Sequence, residues 1–157
     1  MTRTEFDHQI QVARDQILEL GSMVEQTMVQ SAKALKENDL EASQVVMEND
    51  RSINQKRFEI EGTVITMIAT QQPMAHDLRL LASILDLCTE LERIGDYAKG
   101  IAVINLRSGG LSLPKLLNDI FYMSEVAVDM FHRALTAFID EDTELARAIA
   151  RSPKKTM

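Results

Sequence analysis

The stretch 91-LERIGDYAKGIA-102 decides how this chain is read. Leu91, Ile94, Ala98 and Ile101 recur at three- and four-residue steps, the rhythm of a helix with one face toward a core. Glu92 and Asp96 stand one turn apart on that helix, about 6 Å along its axis, so their carboxylates point the same way. Like charges in that register repel by about 0.2–0.5 kcal/mol in water, and by more where the dielectric is low. Within the helix Glu92 has Cys88, Thr89, Gly95 and Asp96 as neighbours, and none is a cation. Its compensation must come from elsewhere.

The same rhythm extends outward in both directions. It predicts a helix over about 74–106, with Leu81, Ile84 and Leu87 continuing the stripe. Upstream, Val46, Ile53, Ile60 and Met67 mark a helix over about 40–70, widened by Met47, Phe58, Ile65 and Ile68. Before that, Ile10, Ala13, Ile17, Leu20, Val24, Met28 and Leu35 mark one over about 4–36, with Ser31 filling the gap. Thr4 is placed to cap this helix with Asp7 reaching back, and Asp39 to cap the next. Pro73 ends the second helix and 107-RSGGLSLP-114 reads as a linker. A fourth helix spans about 115–139 through Ile120, Met123, Ala127, Met130, Ala134 and Phe138. A short fifth begins at Asp142 and is broken at 152-SPKKTM-157.

Long helices joined by short turns make antiparallel neighbours, so the fold class is all-α, an up-down bundle. An internal repeat appears at an offset of 103: Ile17 meets Ile120, Leu20 meets Met123, Val24 meets Ala127, Leu35 meets Phe138 and Asp39 meets Asp142. The expected organisation is a three-helix repeat at 1–106, a linker at 107–114 and a partial second repeat at 115–157.

The totals agree with that class. The 157 residues are 45% hydrophobic and 26% charged, with 4% aromatic, nine Met and no Trp, a composition for helix-on-helix packing. A net charge of −7 argues against nucleic acid as a partner. One cysteine, Cys88, excludes an intrachain disulfide and fits a reducing compartment. Without a long apolar run or a secretory h-region, the expected location is cytoplasmic.

Two helices carry oxygen ligands along or beside their apolar stripes: Asp50, Asn54 and Glu61 on the second, Glu92 and Asp96 on the third. Acids at stripe edges are commonly solvated or ion-paired, and Arg57 and Arg93 are near enough for that. A divalent or trivalent metal would satisfy several at once, and carboxylates suit Fe, Mn or Mg. His8, His76 and His132 are scattered and read as surface residues, and Cys88 as a small core residue. Enzyme templates are missing: no GxxxxGKS/T loop, GxSxG elbow or HExxH occurs. A carboxylate-bridged di-metal oxidase or metal store is the alternative function, but it wants two inner Glu-x-x-His pairs. Only Glu5 with His8 has that spacing, near the chain start.

The stretch 72-QPMAHDLRLLASILDLCTELERIGDYAKGIA-102 resembles the PhoU family of phosphate-signalling proteins, whose repeat opens P-x-A-x-DLR and closes LERIGD-x-A-x-x-IA. Pro73, Ala75, Asp77, Leu78 and Arg79 match the opening; Leu91 to Asp96, Ala98, Ile101 and Ala102 match the close. Upstream, 49-NDRSINQKRFEIE-61 is similar to the family's acidic second helix, and 134-ALTAFIDEDTELA-146 to the start of its second repeat. The resemblance runs from Thr4 to about Arg151. It implies a non-enzymatic cytoplasmic regulator, an accessory of the phosphate ABC transporter and a negative regulator of the phosphate-responsive histidine kinase. It also implies a metal at Glu92 and Asp96, with Asp50, Asn54 and Glu61 beside them; iron is the first expectation, with Zn, Mn or Mg as alternatives. The departure is in the second repeat, where Pro153 falls at the place of the second acidic helix's aspartate. A shortened homologue or a truncated product would leave the fourth helix with an uncovered apolar face, and a homodimer is expected to cover it.

Overall fold

A computed structural model describes residues 3–110 and 114–151, and every regular element in them is helical. The order is α1 (Arg3–Glu37), α2 (Leu40–Gln71), α3 (Ala75–Ser108), α4 (Pro114–Ile139) and α5 (Thr143–Ala150). The all-α expectation holds, with boundaries within two residues of those read from periodicity. Helices α1, α2 and α3 pack on one another; α4 lies against α1, and α5 against α4.

The core of the three-helix bundle is built from the predicted stripes. Ile17, Leu20 and Val24 of α1, Ile53 and Ile60 of α2, and Leu81, Ile84 and Leu91 of α3 are buried together. Complete burial of such a side chain stabilises by about 1.5–3 kcal/mol, so the interlocked stripes hold these long helices side by side. Ser31, the polar member of the α1 stripe, is also fully buried, and its hydroxyl donates to the Met28 carbonyl at 3.0 Å.

The repeat at offset 103 is written into the backbone of two turns. After α1, Asn38 takes φ 54°, while the amides of Asn38 and Asp39 donate to Leu35 and Ala34. After α4, Glu141 takes φ 53°, and the amides of Glu141 and Asp142 donate to Phe138 and Ala137. Each pair of bonds closes the helix end through a left-handed residue. Asp39 then caps α2 by accepting from the Ala42 amide, and Asp142 caps α5 by accepting from Glu144 and Leu145.

Asn105, which the stripe reading passed over, fixes the first of these turns against α3. It is fully buried, and its Nδ2 donates to the carbonyls of Ala34 and Asp39 and to the Ser43 hydroxyl at 2.9–3.3 Å. Its signal was present in the sequence: it continues the seven-residue line of Leu91 and Ala98.

Several expectations need correction. The linker is shorter than 107–114, because α3 runs through Ser108, Gly109 caps it with φ 63°, and Pro114 already opens α4. Pro at a first helical position loses nothing, since that amide has no partner in the helix. Residues 111–113 and 152–157, including the expected break at Pro153, lie outside the described residues. So does the Thr4 side chain; the helix it was expected to cap already includes Arg3. Phe58 and Ile65 do not widen the α2 core stripe, being 62% and 58% exposed on the side turned from the bundle. The α4 stripe is the largest difference. Leu117, Phe131, Leu135 and Ala137 are its buried residues, while Met123, Ala127, Met130 and Ala134 are exposed. Among the described residues α4 packs against α1 and α5, and α1 takes the other apolar side of it.

Candidate functional site

The five residues singled out as oxygen ligands all fall on the side where α2 meets α3, and the structure divides them into two groups. In the first, Asp50 is buried, and Lys99 of α3 donates from Nζ to its Oδ2 at 2.6 Å. Asn54, one turn along α2, donates from Nδ2 to the same oxygen at 3.2 Å and to the Asp50 carbonyl at 3.1 Å. Asp96 is exposed, and its charge acts on Lys99 from the same helix.

The second group lies two turns along α2, about 10 Å away. Arg57 donates from Nε to Glu61 at 2.8 Å, and its Nη1 lies 3.5 Å from Glu92 on α3. That is the answer to the pair in 91-LERIGDYAKGIA-102. The cation for Glu92 comes across the interface from α2, and Lys99, bonded to Asp50, is the cation whose charge Asp96 feels. Arg93, the nearest cation in sequence, turns away and pairs with Glu90.

The electrostatics follow from these contacts. The hydrogen bond to Asp50 is the main cause that raises Lys99 above the ordinary lysine value, with the charges of Asp96 and Glu92 adding to it and partial burial opposing. Arg57 is raised chiefly by its hydrogen bond to Glu61, with Glu92 adding. Both cations are therefore held charged at any physiological pH, and the α2–α3 seam carries a fixed alternation of acid and base. Cys88 lies in the core beneath this seam, fully buried, and burial pushes its thiol up to about 11. A thiol so placed is no nucleophile. The three histidines are exposed, as expected.

Among the described residues, no group of three His, Cys, Asp or Glu is placed to hold a metal ion. The acids meet Arg57 and Lys99 instead of one another. No nucleophile with an adjacent base appears at the seam either. What the arrangement provides is a charged ridge that locks the register of α2 against α3. Sequence reasoning placed the acids and offered Arg57 as a partner reaching across, but missed the cross-helix role of Lys99. Lys99 was visible only as an intrahelical neighbour of Asp96.

Comparison with known proteins gives this geometry its family. The model of the PhoU domain matches residues 17–104, the region that holds α2, α3 and most of α1. The chain belongs to the PhoU family. It is 34% identical over 151 residues to a phosphate-specific transport system accessory protein PhoU homolog of a Burkholderia species, covering 94% of this chain and 64% of that protein. It is 32% identical to the phosphate-specific transport system accessory protein PhoU of Escherichia coli K12, covering 96% and 63%. The crystal structure of PhoU from Pseudomonas aeruginosa superposes with a TM-score of 0.87 at 32% identity, over 92% of this chain and 70% of that one. The PhoU structure from Streptococcus pneumoniae gives 0.82 at 31% identity, over 92% and 68%. The chain thus spans a little under two thirds of the length of these Burkholderia and Escherichia relatives. No helix of the described residues is long and apolar enough to cross a membrane.

Proposed function

We propose that this chain is a non-enzymatic cytoplasmic regulator of phosphate uptake and of phosphate-responsive two-component signalling. It works as an adaptor that touches the phosphate ABC transporter and its histidine kinase, and its effect is negative. The observation that supports this most is family membership, with identity to phosphate-transport accessory proteins spread over nearly the whole chain. The chemistry of the seam fits an adaptor: rigid helices, fixed charges and no activated nucleophile. The working form in this reading is a homodimer.

The test is genetic. Deleting the gene should abolish repression of phosphate-starvation genes in high phosphate, and expressing the chain should restore it. Unchanged repression in the deletion strain would remove the proposal.

Metal binding is the finer part of this reading. Iron, or Zn, Mn or Mg, would compete with Arg57 and Lys99 for Glu61, Glu92, Asp96, Asp50 and Asn54, and would bind only as those cations withdrew. Protein purified without chelator should then carry metal that a Glu92→Ala/Asp96→Ala variant lacks, and Lys99→Met should carry more than wild type. Equal, near-zero metal in all three by elemental analysis would leave the two cations as the lasting counter-ions.

A further inference from the structure

A groove runs between α1 and α4 on the side away from the three-helix core. Leu18 and Ile139 line one end of it, and at the other end Lys36 lies over the Phe121 ring at 3.8 Å. From Leu18 to Lys36 on α1, and from Phe121 to Ile139 on α4, the groove follows about 27 Å of each helix. Its walls are apolar: Leu18, Val29, Phe121, Val128 and Ile139 stand above Leu135, which is seated against Gly21. The helices of the first repeat leave this groove open. Although α2 and α3 pack on α1, Leu18 and Val29 remain 39% and 47% exposed, and no residue of α2 or α3 lines the groove. At the offset of 103 the same two positions on α4 are Phe121 and His132, which line it from the other side. A helix packed on α4 as α2 and α3 pack on α1 would leave those positions open too.

The charges along the groove choose its occupant. Glu25, Glu125, Asp129 and Asp140 line it, His132 meets Glu25 at 3.3 Å, and no Lys or Arg is among the lining residues. Asp129 has an exposed and weak contact with Arg133 at 3.6 Å, and among the described residues no ion pair engages Glu125 or Asp140. Glu125 and Asp129 stand one turn apart on the α4 wall, so two like charges face the same space. A second copy laid groove to groove would add its own acids to these, which repel. An amphipathic helix with Lys or Arg beside its apolar stripe answers both features. Its stripe fills the space between the walls, its cations meet the acids, and about five turns span the length.

We propose that the α1–α4 groove is a docking site for an amphipathic helix of a partner protein, one that carries Lys or Arg on the flanks of its apolar stripe. This deepens the adaptor reading by naming a surface and the chemistry of what it takes, and direct binding tests it without reference to repression. The probe is a synthetic peptide of about 18 residues with Leu at the stripe positions and Lys on both flanks, beside a twin with Glu in place of Lys. Fluorescence anisotropy on the 157-residue chain should show roughly micromolar binding of the Lys peptide that weakens as salt rises, and none of the twin. Glu125→Lys/Asp129→Lys should weaken the Lys peptide by about tenfold or more and admit the Glu twin, because it sets like charges face to face. Asp86→Lys/Glu90→Lys makes the same change of charge on the exposed side of α3 and should leave binding within about twofold. Val29→Glu, on the open apolar wall, should abolish binding with helix content unchanged. No binding of the Lys peptide, equal losses from the two double reversals, or a Val29→Glu variant that binds as wild type would each overturn the site. So would a mass by light scattering that Val29→Glu halves, since a second copy would then be the occupant. A chain that binds the peptide through this groove yet fails to repress would reject the regulatory role and leave the site standing.

Discussion

At the scale of single residues, the seam between α2 and α3 is governed by desolvation. Asp50 is nearly buried, so Lys99 is there to keep a carboxylate from standing alone in an apolar layer. Removing one member of a buried pair costs about 3–5 kcal/mol, but the Lys99 side chain is 35% exposed and water screens part of that. Lys99→Met should therefore lose about 1–2 kcal/mol in urea denaturation, and adding Asp50→Asn should recover most of it. A loss unchanged by the second substitution would mean that Lys99 acts through packing of its stem. Cys88 gives a separate prediction on pH. Its folded thiol titrates near 11 against an ordinary 9.0, so the unfolded chain loses this proton first. The stabilisation is complete below pH 9 and is lost as pH rises toward 11, by about 2–3 kcal/mol. Lys99, also raised, adds its own alkaline loss, so comparison with Cys88→Ala isolates the thiol. That variant should show a shallower decline between pH 9 and 11; parallel curves would contradict a buried neutral thiol.

At the scale of elements, the two repeated turns carry the same cap on helices of very different support. Replacing an Asp cap by Ala costs about 1 kcal/mol in either place. For α2, whose 32 residues are locked between α1 and α3, Asp39→Ala should lower overall stability by that amount and leave the helix intact. For α5, eight residues long and packed only on α4, the same loss is decisive, because so short a helix is marginal without its cap. Asp142→Ala should lower helicity by roughly one short helix in circular dichroism, with little change in the main unfolding transition. Retained helicity would show that packing of Ile149 alone holds α5 in place. The caps were legible in the sequence, as were the five helices, because both depend on neighbours within a few residues. The stripes of α1 and α3 were legible for the same reason. The buried side of α4 was not, since that helix is apolar on two sides and periodicity says only that a stripe is apolar, not which neighbour covers it. Which cation meets which acid was hidden for a related cause. Lys99 to Asp50 and Arg57 to Glu92 depend on the register between two helices, and no spacing within either helix records it.

At the scale of the whole molecule, the helices have unequal claims on stability. Each of α1, α2 and α3 is packed on the other two of that set, and Asn105 ties their first turn into the core. Among the described residues α4 packs on α1 and α5, and Phe131 and Leu135 reach the common core. One point of that contact is unusually close: a Cβ on Gly21 would come within 2.6 Å of Leu135 Cδ1, so a side chain at residue 21 would force Leu135 to shift. Thin packing means that α4 and α5 should open more readily than the three-helix core, and amide exchange reads such openings directly. In dilute protein, amides of α4 should exchange faster than those of the α3 stretch from Leu81 to Ala98. If two copies join through α4, its protection should rise with protein concentration, while that of α3 should not change, because dimerisation adds its free energy only to openings that break the dimer. Protection in α4 that is high and independent of concentration would mean that its contact with α1 suffices. Protection that rises equally in both helices would mean that association stabilises the fold as one unit. The pattern expected from the packing lies between these two: three helices that supply most of the core, carrying a fourth that opens more readily.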